Sequence, residues 1–181
     1  MGLQAGRPGD AGLDFAAVIA GAKAVKAVKA KLEALGLTPF VKTTGGKGLR
    51  VVVPVAGDAR RNVTWDQAKA FARAVSESVR ADAPDQFTTS VAKKARGGKI
   101  FLDYLRNGRM ATAIAPWSPR ARPGAGITCP LAWREVACSL DPSAFSLHTA
   151  ADLLTKADPW AGFRAAEASL RPALKVLGVK D

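Results

Sequence analysis

Cysteine and histidine are almost missing from this 181-residue chain, which has two of the first and one of the second. Cys129 and Cys138 are too few for a zinc site and too far apart for a CxxC motif, so they read as ordinary reduced thiols. His148 sits in a Ser/Thr-bearing passage with no other ligand at metal spacing, which points to a surface or capping role rather than catalysis. Long apolar runs are also lacking. Nothing approaches the roughly 18 residues of a membrane span, and Phe15 to Leu35 is interrupted by Lys23, Lys26, Lys29 and Lys31. A soluble intracellular protein with no membrane partner is therefore expected. No internal repeat or low-complexity linker occurs. Acidic residues are scarce as well, 15 against 27 Lys and Arg, leaving a formal charge of +12. Such an imbalance fits a polyanionic partner, because each phosphate that is neutralised releases a counterion.

What is present suffices for one domain with a real core, since 48% of the residues are hydrophobic. The Gly-rich opening, residues 1–14, reads as an irregular segment, with Asp14 placed to cap a following helix. From Phe15 the apolar positions Val18, Ile19, Ala22, Val25, Val28, Leu32 and Leu35 keep helical spacing, and Gly36 ends the run as a C′ residue. The interleaved Lys23, Lys26 and Lys29 read as a solvated face. Thr38 to Val55 reads as strand, Gly-rich turn, strand. Its glycines permit close approach of backbone N–H groups to an anion, with Lys47 and Arg50 adding charge. It is not a Walker loop, for no helix bearing Lys-Ser/Thr follows. A helix from Thr64 to Arg80 opens on a Thr64/Gln67 capping box, and its spacing makes Trp65 a core residue. Pro84 stops it. Phe87 to Val91 reads as a short strand, Pro130 to Ala137 as a short helix, and Asp141 to Thr149 as a loop. A last helix is expected from Asp158-Pro159, with Trp160, Phe163, Ala166, Leu170, Leu174 and Leu177 on its apolar face and a kink at Pro172. Strands grouped into hairpins and separated by helices predict an α+β fold, a mainly antiparallel sheet packed with helices.

One stretch organises the chemistry: KKARGGKIFLDYLRNGRMATAIAPWSPRARP, Lys93 to Pro123. Alternation places Asp103 with Phe101 and Leu105, opposite Ile100, Leu102 and Tyr104. Asn107-Gly108 predicts a tight hairpin with a returning strand over Met110 to Ala115, bringing Asp103, Arg106 and Arg120 into one neighbourhood. Arg120 and Arg122 lie between prolines that stiffen them for phosphate binding. Lys93, Lys94 and Arg96, in a basic Gly-bearing turn, are candidate DNA contacts. A lone carboxylate among arginines is commonly no more than an ion pair, and residue chemistry alone does not separate that reading from a metal ligand.

IFLDYLRNGR followed by ATAIAPWSPRARPGA resembles the third catalytic motif, and the stretch after it, of the polymerase domain of bacterial DNA ligase D, in the archaeo-eukaryotic primase superfamily. FVKTTGGKGLRVVVPV is similar to that family's second motif, in which a Ser or Thr, a Lys and a His contact the incoming nucleotide. Thr44 and Lys47 match it, and Arg50 stands in place of the histidine. The resemblance runs from about Arg7 through Trp160, in the family's order and spacing. It implies the primase-polymerase catalytic half over residues 15–181, the C-terminal part of a family domain that is longer at its N-terminus.

The activity implied is template-directed nucleotidyl transfer at DNA ends in non-homologous end joining, with Mg²⁺ or Mn²⁺ held by three aspartates. Asp103 matches one of them. The other two belong to an apolar-Asp-apolar-Asp-Pro-Gly motif whose counterpart here is Gln4-Ala5-Gly6-Arg7-Pro8-Gly9, so Ala5 and Arg7 replace both carboxylates. Asp10 and Asp14 lie past the Pro-Gly turn. One carboxylate does not anchor two octahedral ions. The resemblance thus implies Thr44, Lys47, Arg50, Arg106 and Arg120 as nucleotide contacts, with Asp103 as the residual metal and catalytic position. Implied partners are DNA ends with a 5′-phosphate, a nucleoside triphosphate, and ligase, nuclease and end-binding components of the pathway, in the bacterial cytoplasm at the nucleoid. A domain whose activity is lost or strongly impaired but which still binds nucleotide or DNA phosphates is expected, and three readings follow: a surviving nucleotidyltransferase, a non-catalytic module that binds DNA ends or nucleotides, and a remnant without independent function.

Overall fold

The computed structural model describes residues 15–19, 21–56, 63–92, 94 and 96–179. The opening segment with Ala5, Arg7, Asp10 and Asp14, and Lys93 in the basic turn, lie outside the described residues.

The lysine-bearing helix is shorter than its periodicity predicts. Phe15–Ile19 is a strand, β1, and the helix α1 spans Ala22–Ala34. An apolar FAAVI run satisfies strand and helix patterns alike, and pairing decides between them. β1 lies antiparallel to β3 (Leu49–Val53) along its full length, from Phe15 opposite Val53 to Ile19 opposite Leu49. Gly21, at φ 108, forms the corner and the N-cap that had been expected of Asp14. At the other end Gly36, at φ 75, donates its N–H to Glu33 O at 2.9 Å and ends the helix as its position predicts. Lys23 and Lys26 are exposed, and Lys29 pairs with Glu33 at 2.8 Å, as a solvated face requires.

β2 (Phe40–Thr43) and β3 form the expected hairpin. With β1 and β6 (Pro130–Leu131) they make an antiparallel sheet in the order β1-β3-β2-β6. Alternation gives this sheet two unlike faces. Val41, Leu49, Val51 and Val53 join Val25, Val28 and Leu32 of α1 and Phe71, Val75 and Val79 of α2 (Trp65–Asp82) in the core. Burying a side chain of this kind is worth roughly 1.5–3 kcal/mol. The opposite face carries Phe40, Lys42, Arg50 and Val52, with Lys42 directly across from Arg50. Phe40 is covered there by Trp160 and Phe163, which stack at 5.0 Å.

α2 follows its sequence in its cap and its buried face, but Trp65, expected in the core, is only half-buried at the first position and lies outside it. Thr64 Oγ1 accepts the Gln67 N–H at 3.1 Å and Gln67 Oε1 accepts the Thr64 N–H at 2.8 Å, completing the capping box. Its cap at Ala83 directly precedes Pro84. The α+β class and the antiparallel sheet covered by helices are as expected.

The hairpin expected around Asn107-Gly108 does not form. The strand β5 is only Ile100–Phe101, and it pairs in parallel with β4 (Phe87–Thr88) instead of with a returning strand. Met110 to Ala115 is not a strand. Local side chains take over the backbone groups that a ladder needs. Asp103 Oδ1 accepts the Leu105 N–H at 3.0 Å, and Asn107 Nδ2 donates to Tyr104 O at 2.9 Å. Neither Asn107 nor Gly108 takes the positive φ of a two-residue hairpin, while Met110 does, at φ 64.

Two further expectations change. Pro130 to Ala137 begins as β6 and continues as a 3-10 turn, Trp133–Glu135, while Asp141 to Thr149 holds two such turns, followed by α3 (Ala150–Leu154). The last helix is broken into a 3-10 turn at Arg164–Ala166 and α4 (Arg171–Val176). Ala168 explains the break, because it bridges to Val55, donating to Pro54 O at 3.3 Å and accepting from Ala56 N at 3.0 Å. Pro172 falls in the first turn of α4, where it starts the helix instead of kinking it.

Candidate nucleotide and DNA site

The Gly-rich turn between β2 and β3 is closed by Thr44, whose N–H and hydroxyl both donate to Gly48 O, at 3.1 and 3.0 Å. Gly45 stands at φ 65, where glycine is favoured. A Cβ there would fall 2.9 Å from Cγ and Cδ of Arg120, and one on Gly126 would fall 2.8 Å from Gly45 O. The two glycines let the Arg120 stem lie directly on the turn. Arg120 Nη1 donates to Thr44 O at 3.2 Å, and its backbone N–H donates to Gly126 O at 2.9 Å. Thr44, Lys47 and Arg120 are thus gathered at one turn, with Lys47 exposed at the tip. Arg122 points to solvent.

Below the turn lies the basic face of the sheet. Arg50 and Lys42 are buried, at 5% and 3% exposure. Lys42 is a site residue that sequence reading passed over. The signal was available, since a lysine between Val41 and Thr43, in register with Arg50, has to share its face. Its Nζ donates to Ile114 O and ties the 111–115 segment to the sheet. Thr128 fastens the next residues: its hydroxyl donates to Ala115 O and accepts the Ser118 N–H at 3.1 Å. Thr43 completes the scaffold, its hydroxyl donating to Ile127 O at 2.9 Å and accepting the Cys129 N–H at 2.8 Å.

Asp103 faces Arg106. Its carboxylate lies 3.9 Å from Arg106 Nε, and among the described residues no hydrogen bond or ion pair joins it to Arg120. Arg106 also reaches Thr112 O at 3.5 Å and is half exposed. In the basic turn Lys94 is exposed, whereas Arg96 lies over the Phe101 ring at 4.1 Å and donates to Val91 O at 3.1 Å. Of the sequence-predicted residues, the structure therefore joins Thr44, Lys47 and Arg120, sets Arg50 under them, and pairs Asp103 with Arg106.

A family model described as the primase-polymerase domain of LigD matches residues 8–160. The chain belongs to the DNA ligase D primase-polymerase family. It is 37% identical over 148 residues to the multifunctional non-homologous end joining protein LigD of Pseudomonas aeruginosa, covering 80% of this chain and 17% of that protein. Against the bifunctional non-homologous end joining protein LigD of Bacillus subtilis it is 31% identical over 134 residues, 74% of this chain and 21% of that one. The chain thus spans about a fifth of the relatives it matches. The fold is similar to that of the polymerase domain from Mycobacterium tuberculosis ligase D in complex with DNA, with a TM-score of 0.74 and 22% identity over 91% of this chain and 61% of that one.

Polymerase domains of this family are generally metal-dependent, and the donors at this site can be tested against that. Among the described residues no cluster of three His, Cys, Asp or Glu side chains occurs. Asp103 is the carboxylate that the resemblance sets at a metal position. One of its oxygens is occupied by the Leu105 N–H and the other faces a guanidinium. A divalent ion seeking an octahedral oxygen shell is poorly served by one carboxylate beside a guanidinium. The described donor set does not fit the ion.

Proposed function

We propose that this chain is a ligase D primase-polymerase domain that binds nucleotide and DNA-end phosphates without completing a two-metal centre. In this reading residues 15–181 carry the primase-polymerase-like domain. The carrying observation is the Arg120 stem seated on Gly45, its guanidinium held at Thr44 beside the exposed Lys47. An arginine pre-ordered over a glycine turn loses little entropy on taking a phosphate. A nucleoside triphosphate would lie over this turn, with Arg50 and Lys42 supplying positive potential from beneath. Arg106, Lys94, Arg96 and Lys93 would meet the DNA backbone at the end that carries the 5′-phosphate. Ligase, nuclease and end-binding components of the bacterial pathway are the partners proposed for it, at the nucleoid.

Binding a labelled DNA end with a 5′-phosphate at several salt concentrations tests this. Affinity should fall steeply with salt, the log-log slope growing by about 0.9 per phosphate neutralised on duplex. Arg120→Ala should weaken binding roughly tenfold, about 1.4 kcal/mol, with Tm unchanged. A folded sample that binds no DNA at low salt would overturn the proposal.

A further inference from the structure

From Tyr104 to Arg134 the chain holds no Asp or Glu, while Arg106, Arg109, Arg120, Arg122 and Arg134 all fall within it. Early in this stretch, in a turn, stands Met110, 83% exposed and the most exposed large hydrophobic residue among those described. Its backbone is left-handed, at φ 64, although Gly108 lies two residues before it and takes no such angle. A residue other than glycine persists in that region only where its neighbours hold it. Here they do so on both sides. The buried Asn107 donates from Nδ2 to Tyr104 O at 2.9 Å, the Ala111 N–H donates to Gly108 O at 3.0 Å, and Lys42 Nζ fixes Ile114 O from the basic face of the sheet. Met110 is thus presented to solvent on a fastened frame. Of the arginines next to it in the chain, Arg106 is partly offset by Asp103 at 3.9 Å, while Arg109 is exposed and enters no ion pair among the described residues.

We infer that Met110 stacks on the terminal base pair of a DNA end while Arg109 and Arg106 hold the phosphates beside it. The inference rests on the proposed binding of DNA ends, and it adds the residue that tells an end from the duplex interior. A duplex leaves the apolar face of a base pair uncovered only at its ends, and methionine is among the side chains that DNA-binding proteins press against unstacked bases. Guanidinium groups suit the phosphates on either side. A protein surface would have to set separate carboxylates against an acid-free run of five arginines, whereas a nucleic acid presents a charge at every phosphate. Through Lys42, directly across from Arg50, the segment that carries Met110 is tied to the sheet face beneath the phosphate turn.

Two duplexes of one sequence test this, one with blunt 5′-hydroxyl ends and 2-aminopurine in the terminal pair, the other closed by hairpin loops at both ends. The whole chain should bind the open duplex roughly tenfold more tightly than the closed one and change the 2-aminopurine fluorescence. Met110→Gly, which suits the left-handed backbone and removes only the side chain, should bring the open duplex to the affinity of the closed one and abolish the fluorescence change. Met110→Leu should keep both. Arg109→Ala should lower the salt slope on the open duplex by about 0.9. A Met110→Gly chain that keeps the end preference overturns the inference and leaves the proposed function standing. So does a parent chain that binds both duplexes equally, which would leave the tip to a protein partner. A folded parent chain that binds neither duplex at low salt overturns both.

Discussion

Gly45 carries the sharpest constraint at the scale of single residues. Its φ of 65 and the 2.9 Å that a Cβ would leave to Arg120 act together. Gly45→Ala should therefore destabilise by more than about 1 kcal/mol and weaken phosphate binding, whereas Arg120→Ala should do only the second. Denaturant unfolding beside a nucleotide titration separates the two. The cysteines give a second contrast. Burial, followed by the charge of Glu135, pushes the Cys129 thiol from 9.0 up to about 11, while Cys138 is exposed and free. Iodoacetamide near pH 8 should modify Cys138 and leave Cys129 intact until the chain unfolds. Because the Cys129 value is raised by folding, its contribution to stability is fully present below about 9 and is lost as pH rises through about 11. Equal labelling of both thiols in the native state would contradict this placement.

The helix α2 was legible in the sequence because its capping box, the spacing of Ala68, Phe71, Ala72, Val75 and Val79, and Pro84 agree, while Trp65 at its first position stays outside the core. Thr64→Ala should cost about 1 kcal/mol, and Phe71→Ala, which empties a fully buried site, about 3–5 kcal/mol, both read from chemical denaturation. A smaller loss for Phe71 than for Thr64 would place the core elsewhere. The hairpin at Asn107-Gly108 was misread because its turn residues were right while the neighbour in space was not visible. β5 pairs with β4 in a separate two-stranded sheet, and Asp103 and Asn107 hold the chain locally. The same holds for FAAVI, where β3 decides, and for the break at Ala168, where Val55 decides. At the candidate site, the structure gathers Thr44, Lys47 and Arg120, which the resemblance singles out, at one turn. Lys42 and the Gly45–Gly126 contact depend on partners 8 and 81 residues away. Around α2, Glu77 feels burial first, which raises it, but Arg80 at 2.7 Å, Thr89 at 2.8 Å and the charge of Arg73 hold its carboxyl below the ordinary range. A lowered carboxylate stabilises above its unfolded value and loses that contribution as pH falls through the folded one. Glu77→Gln should accordingly flatten the acid limb of the stability curve, and an unchanged limb would remove Glu77 from it.

For the whole molecule, the +12 charge, the basic sheet face and the arginine on its glycine turn agree with binding to polyanions. In the proposed function this chain departs from the metal chemistry expected of the ligase D family. In the proposed reading Ala5 and Arg7 replace the aspartates that the resemblance assigns to this motif, and a cation held about 4 Å from a divalent ion would cost several kcal/mol at an effective dielectric near 20. Restoring the acids with Ala5→Asp and Arg7→Asp should raise Mn²⁺ affinity, measured by calorimetry. The most direct test is primer extension with Mg²⁺ or Mn²⁺ on a templated DNA end, run beside a binding titration on the same preparation. The expected result is bound DNA and nucleotide with no extension. Extension by the unaltered chain, abolished by Asp103→Ala, would contradict the proposal and show that another residue completes the metal centre.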